Sequence, residues 1–269
     1  MVGLPALPDA LSLPPIWRET RTPLEAAGLY RSPVWRGEGI PHGDGDPVLL
    51  VCGFLAGDGS LGPMAGWLKR IGHRPSRAGI RWNVDCTAQA VDRLEARVEA
   101  LAERTGSKVA IVGQSRGGTF ARAIAVRRPD LVRAVVGLGS PLRDHLDVHP
   151  AVRVQVRAFA LLGSVGVPGL FSKSCRDGAC CEQVRKELEA PMPPGVSFTS
   201  IYSKSDGIVR WRACLDQDAQ HVEVRASHIG MAMHDGTYRA IARALSPVEV
   251  PVTADVAPTR AAGLTFAAA

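Results

Sequence analysis

Three residue types that can do nucleophilic chemistry together occur in this chain in a telling order. Ser115 sits in Gly113-Gln114-Ser115-Arg116-Gly117, a match to G-x-S-x-G. Asp206 follows in Ser203-Lys204-Ser205-Asp206-Gly207, and His228 in Ala226-Ser227-His228. A neutral serine hydroxyl is a weak nucleophile. It becomes a strong one when a histidine within hydrogen-bond reach takes its proton and an aspartate orients the imidazole and stabilises its cation. Asp144 and Asp147 are the next candidates for the acid. His221, at a strand start, and His234, near a helix start, compete with His228 as the base, though both read more simply as structural or exposed. His145 and His149 form an H-x-x-x-H pair, but it lacks the glutamate a zinc-protease helix carries after the first histidine, and Pro150 follows at once. No metal site is expected there.

Such side chains converge only if strands and helices bring them together. Val109 to Val112 is a short apolar run, as a strand buried on both faces reads. Phe120, Ala121 and Ile124 share one face of the helix expected after Ser115. A strand turning sharply into a helix exposes one hydroxyl at its tip, near a helix end that favours negative charge. Further strands are expected at Val48 to Val51, His73 to Ile80, Leu131 to Leu138, Val196 to Tyr202 and His221 to Arg225. The strand at His73 to Ile80 is the weakest on pattern, because it contains Pro75 and two arginines. Helices are expected over Leu61 to Ile71, Asp85 to Arg104, Cys181 to Ala190 and Tyr238 to Leu245, with one more over Glu19 to Tyr30. Alternating strands and helices give an α/β fold with a mainly parallel sheet and helices on both faces. Ser115, Asp206 and His228 each follow a strand, so all three reach the carboxyl edge, where sites in such sheets form.

The segment layout is an N-terminal arm over 1–46, a main domain over 47–250 and an Ala- and Pro-rich tail over 251–269 that reads as disordered. Trp17, Tyr30 and Trp35 are candidates to pin the arm to the domain. Residues 143–195 break the alternation and read as an insertion over the sheet end. Val156, Phe159, Leu161, Leu162, Leu170 and Phe171 give it side chains to line a pocket, and Gly163, Gly166 and Gly169 give it freedom to move.

The pattern as a whole resembles the α/β-hydrolase superfamily, and in particular its bacterial esterase/lipase-like serine hydrolases. The matching segments are GFLAGDGSL, GQSRGG, LGSPL, YSKSDGIV and ASHIGM, spread over most of residues 48–245. The resemblance implies Ser115 as nucleophile, Asp206 as acid and His228 as base, with an oxyanion hole made by the backbone N–H groups of Phe54 and Arg116. It implies a lid in the insertion and hydrolysis of carboxylic esters without a cofactor. Relatives carry His or Pro where this chain has Cys52; backbone donors do not depend on that side chain. An acyltransferase or thioesterase with the same three residues is the near alternative, and a non-catalytic binding protein on the same fold the distant one. Leu55, Leu162 and Phe171 are the candidate pocket residues, and the Arg116 side chain is expected at the surface, capping the pocket.

Composition narrows the partners. The chain has 269 residues, 46% hydrophobic and 22% charged, with a net charge of +6. The basic residues are dispersed and aromatics make up only 5%, unlike a nucleic-acid platform. The expected partner is a small-molecule or lipid-like ester. The first residues lack an early positive charge and are broken by prolines, and no long apolar run exists, so a cytoplasmic protein without stable membrane insertion is expected. The six cysteines contain no C-x-x-C pair, which argues against a zinc ribbon. Cys52 and Cys86 read as small buried hydrophobes. At least one redox-sensitive cross-link is expected among Cys175, Cys180, Cys181 and Cys214.

Overall fold

The computed structural model describes residues 14–144 and 146–246. The tail over 251–269 and His145 lie outside the described residues. The strands are β1 (Pro47–Val51), β2 (Arg74–Arg77), β3 (Val109–Gln114), β4 (Val132–Leu138), β5 (Ser197–Tyr202) and β6 (Gln220–Glu223). The helices are α1 (Thr22–Arg31), α2 (Pro33–Arg36), α3 (Gly62–Arg70), α4 (Thr87–Thr105), α5 (Arg116–Arg127), α6 (Pro150–Ser164), α7 (Lys173–Asp177), α8 (Glu182–Glu189) and α9 (Asp235–Leu245). The strands form one sheet in the order β2-β1-β3-β4-β5-β6, and every pairing is parallel.

Period-two alternation decides which side chains go to which face. Val48 and Leu50 of β1 pack with Trp67, Leu68, Tyr238 and Ile241, the core under α3 and α9. Leu49 and Val51 point the other way, onto Val91, Leu94, Phe120 and Ile124 of α4 and α5. The weakly patterned strand β2 is an edge strand, where Pro75 pairs opposite Val48. A proline removes a ladder donor, which an edge strand tolerates.

The N-terminal segment packs on the α9 face. Trp35 stacks edge-on with Tyr30, with ring centroids 4.8 Å apart, and Trp67 Nε1 donates to the Val34 carbonyl at 2.8 Å. Trp17 is 70% exposed and pins nothing, contrary to expectation. It lies in the 3-10 turn Ile16–Arg21, whose inward residue is Glu19 instead.

The insertion is α6, α7 and α8 with their connections. Its second half is fixed to the domain. Arg122 of α5, buried, bonds Asp216 Oδ2 at 2.6 Å and the Glu187 and Ala190 carbonyls at 3.0 Å each. Arg127 grips Glu187 with two bonds of 2.8 and 3.0 Å. Gly163, read as a point of freedom, is a point of close packing: a Cβ there would run into the Phe171 carbonyl. Among the described residues, no helix is long and apolar enough to cross a membrane.

Candidate active site

Ser115 occupies the turn between β3 and α5 with φ 52° and ψ −123°, a conformation that costs an L residue of order 1–3 kcal/mol. Leu55 is the only other non-glycine residue with positive φ among those described, and it lies on the neighbouring loop. The chain can make this turn because α5 starts against the backbone of β1. A Cβ at Gly117 would collide with the Val51 carbonyl, so only glycine allows the approach. The Ser115 amide is fixed by the Leu138 carbonyl at 2.8 Å. A Cβ at Gly53 would stand 3.2 Å from Ser115 Cβ, so the Gly53-Phe54-Leu55 loop passes directly beside the serine.

Asp206 is buried in the loop after β5. Its Oδ1 accepts from the Ile208 and Val209 amides at 2.8 and 2.7 Å, which leaves Oδ2 aimed at His228 Nδ1, 2.7 Å away. Gly139, with φ +55°, forms the floor beneath the pair. A side chain there would crowd both His228 Nδ1 and Asp206 Oδ2. Burial works against a charged His228. The charge and hydrogen bond of Asp206, with Glu19 further out, outweigh it and raise the imidazole above its ordinary value.

Two elements that sequence patterns did not single out hold the histidine loop. Glu19 accepts from the amides of Gly207 at 2.9 Å, His228 at 2.8 Å and Ile229 at 2.8 Å. Glu25 accepts from the Ser227 amide at 2.8 Å and its hydroxyl at 2.6 Å. Gln114, beside Ser115, donates to the His228 carbonyl at 3.1 Å. In the sequence Glu19 and Glu25 are two charged residues among several in the arm, and no pattern names their partners. The rival acids are engaged elsewhere. Asp147 pairs with Arg210 at 3.1 Å, and Asp144 Oδ1 accepts from the Leu146 amide at 2.9 Å. Of the rival bases, His234 lies at the start of α9 and His221 lies in β6. His149 accepts from the Ala151 amide as the N-cap of α6, a structural use of half the H-x-x-x-H pair.

Arg116 differs from expectation. Its guanidinium is folded inward and donates to Asn83 O and Oδ1 at 3.1 and 2.7 Å, Asp85 O at 2.6 Å and Thr87 Oγ1 at 3.1 Å. It also lies 4.8 Å over the Phe120 ring. Burial lowers its pKa to about 10. The side chain is a clamp on the loop before α4, not a cap on the pocket. Its backbone amide opens α5 and has no intrahelical acceptor.

Ser115 and His228 open onto one cavity of about 1120 Å³. Leu55 and Phe171 line it, together with Leu146, Val152 and Val156. Phe54 meets Phe159 and Phe171 with ring centroids 5.9 and 6.2 Å away, which seats α6 and the following loop over the serine. Leu162 does not belong to this wall. It is 46% exposed on α6 and absent from the cavity lining. Cys52 is buried, as expected, and burial pushes its thiol up to about 12.

Comparison with solved structures places the architecture. The mature form of the lipase BlEst2 from Bacillus licheniformis aligns with a TM-score of 0.56 at 14% identity, covering 76% of this chain and 93% of that one. The lin2722 gene product of Listeria innocua aligns with a TM-score of 0.52 at 16% identity, covering 77% and 96%. This chain has the α/β-hydrolase fold. No family model and no curated protein matches its sequence. The sequence resemblance to that superfamily and the sheet topology therefore agree, while the low identities carry no more than the fold.

Proposed function

We propose that the chain is a serine hydrolase of carboxylic esters. The observation that carries the reading is the 2.7 Å bond from His228 to a buried Asp206, at a cavity that Ser115 also enters from a strained strand-to-helix turn. In this reading His228 keeps its Nδ1 proton, hydrogen-bonded to the ionised Asp206 Oδ2, and its Nε2 takes the Ser115 proton as Oγ attacks the ester carbonyl. The oxyanion forms near the start of α5, where the Arg116 amide and the Phe54 amide stabilise it. Neither amide donates to a backbone carbonyl outside regular elements among the described residues. His228 then protonates the leaving alcohol, and water, activated by the same imidazole, clears the acyl-enzyme.

Apolar side chains lining the cavity, Phe171 and Val156 among them, favour an ester whose acyl part is hydrophobic. The insertion acts as the lid of this pocket. Lipase-like structural neighbours support the choice of ester chemistry by analogy. The test is steady-state hydrolysis of chromogenic esters by wild type and Ser115→Ala, with folding checked by circular dichroism. Turnover by wild type that falls to background in Ser115→Ala supports the proposal. Equal turnover by the two proteins overturns it.

A further inference from the structure

Four thiols meet at the seam between the main domain and the insertion. Cys86 is the N-cap of α4, Cys175 lies in α7, and Cys180 and Cys181 close the 3-10 turn Ala179–Cys181. Their sulfurs all lie within 4.8 Å of one another. Cys86 Sγ is 3.9 Å from both Cys180 Sγ and Cys181 Sγ, and those two are 3.5 Å apart. A tetrahedral ion with metal–sulfur bonds of about 2.3 Å sets sulfur–sulfur edges of about 3.8 Å. A disulfide would need about 2.05 Å and would pair the thiols two by two. The three spacings among Cys86, Cys180 and Cys181 lie close to that edge, and Cys175 Sγ lies within 4.8 Å of all three.

A helix start and backbone amides are aimed at two of the four sulfurs. Cys86 stands at the start of a long helix, where negative charge is favoured, and the Gln89 amide faces its sulfur. The Ser172 amide donates to Cys175 Sγ at 3.4 Å, the kind of outer bond that orients a metal ligand. Behind the cluster lies the Arg116 guanidinium. All four of its acceptors are neutral, and two of them, Asp85 O and Thr87 Oγ1, flank Cys86. A buried cation bonded only to neutral groups is what an electron-rich centre beside it would balance.

We propose that Cys86, Cys175, Cys180 and Cys181 form a closed structural site for a divalent thiophilic ion, best fitted by zinc, that fastens the insertion to the loop before α4. Soft sulfur ligands in tetrahedral array select zinc over oxygen-loving ions. Four thiols bind one divalent ion and release four protons to solvent; no electron is transferred. All four positions are protein ligands, so the ion is structural and leaves no place for substrate. Cys175 and Cys181 also line the cavity, so the ion holds the wall above Ser115 in place. Cys214 has no part in it; it is buried with Val148, Val209 and Ala213. The site is independent of the hydrolase reading and survives its failure. Its sequence trace is Cys175-x₄-Cys180-Cys181 with a distant Cys86, which no local C-x-x-C spacing announces.

The experiment uses the full chain, expressed with zinc, purified under reducing conditions and exhaustively dialysed. Plasma mass spectrometry should find roughly one zinc per chain. Metal-stripped protein titrated with cobalt alone should develop the visible bands of a tetrahedral tetrathiolate, a readout that needs no variant. Cys180→Ser, at an exposed position, should bind zinc at least roughly tenfold more weakly, while Cys214→Ser keeps the wild-type content. The proposal is overturned if reduced wild type takes up no zinc and gives no cobalt thiolate bands. It is equally overturned if Cys180→Ser and Cys175→Ser both retain zinc as wild type does, or if the four cysteines prove to be paired as disulfides.

Discussion

Replacing Glu19 tests how the N-terminal arm supports the proposed base. One carboxylate receives three backbone amides, of Gly207, His228 and Ile229, from the two loops that carry Asp206 and His228. A hydrogen bond to a charged group contributes about 1.5–3 kcal/mol, and the bonds to one carboxylate are not additive. The Ile229 end is open to water, so its amide finds a new partner in a variant. Glu19→Ala should therefore cost about 2–4 kcal/mol, and a displaced imidazole should lower kcat by roughly 10- to 100-fold. Glu19→Gln separates charge from shape. Glu19 is among the groups that raise the His228 pKa, so removing its charge lowers that pKa. The base works as neutral imidazole, so wild-type kcat/KM should rise with pH through a limb above the ordinary value of 6.5, and Glu19→Gln should move this limb to lower pH. Stability has the opposite sign. A raised histidine pKa contributes stability that is fully present below the unfolded value and is lost as pH rises through the folded value. The Gln variant should lose more stability at acid than at alkaline pH. The assays are a kcat/KM–pH profile and urea denaturation at two pH values. An unshifted acid limb with wild-type kcat in both variants would refute the reasoning.

The other predictions concern the acid and the pocket wall. Asp206→Asn should lower kcat by roughly 10²–10⁴-fold, since the imidazole loses the anion that orients it. Asp144→Asn should stay near wild type, and the reverse pattern in the same ester assay would name the wrong acid. Phe171→Ala should shift the preferred acyl length in a graded way, since one methylene is worth only about 1–3 kcal/mol in such a pocket. Leu162→Ala, outside the cavity lining, should keep the wild-type profile across a chain-length series of esters.

Most of the scaffold was legible because it is written locally. The runs 48–51 and 109–112 are apolar enough to announce buried strands, and Asp85 to Arg104 anticipates α4 to within two residues at its start. Strand β2 was legible only through topology, since Arg74 and Pro75 carry no apolar pattern. The bond between Asp206 and His228 followed from two loops at one sheet edge. What stayed hidden depends on distant contacts. Glu19 reaches Ile229 across 210 positions, and no periodicity links them. Cys86 joins Cys180 across 94 positions, so it read as a lone apolar filler and Cys214 as a neighbour of the others. Arg116 read as a surface residue because charge belongs there on average. Here the backbone carbonyls of residues 83 and 85 take up its donors inside the fold. Leu162 was misplaced because an amphipathic stretch shows which residues are apolar and not which of them meets the partner.

The central claim is that Ser115 is the activated nucleophile, and active-site labelling reads it most directly. Wild-type protein is treated with a fluorophosphonate, digested and examined by tandem mass spectrometry. The account predicts a covalent adduct on Ser115 that forms quickly in wild type, slowly in Asp206→Asn, and not at all in folded Ser115→Ala. An unlabelled wild-type Ser115, or equal labelling of wild type and Ser115→Ala at another residue, would contradict it.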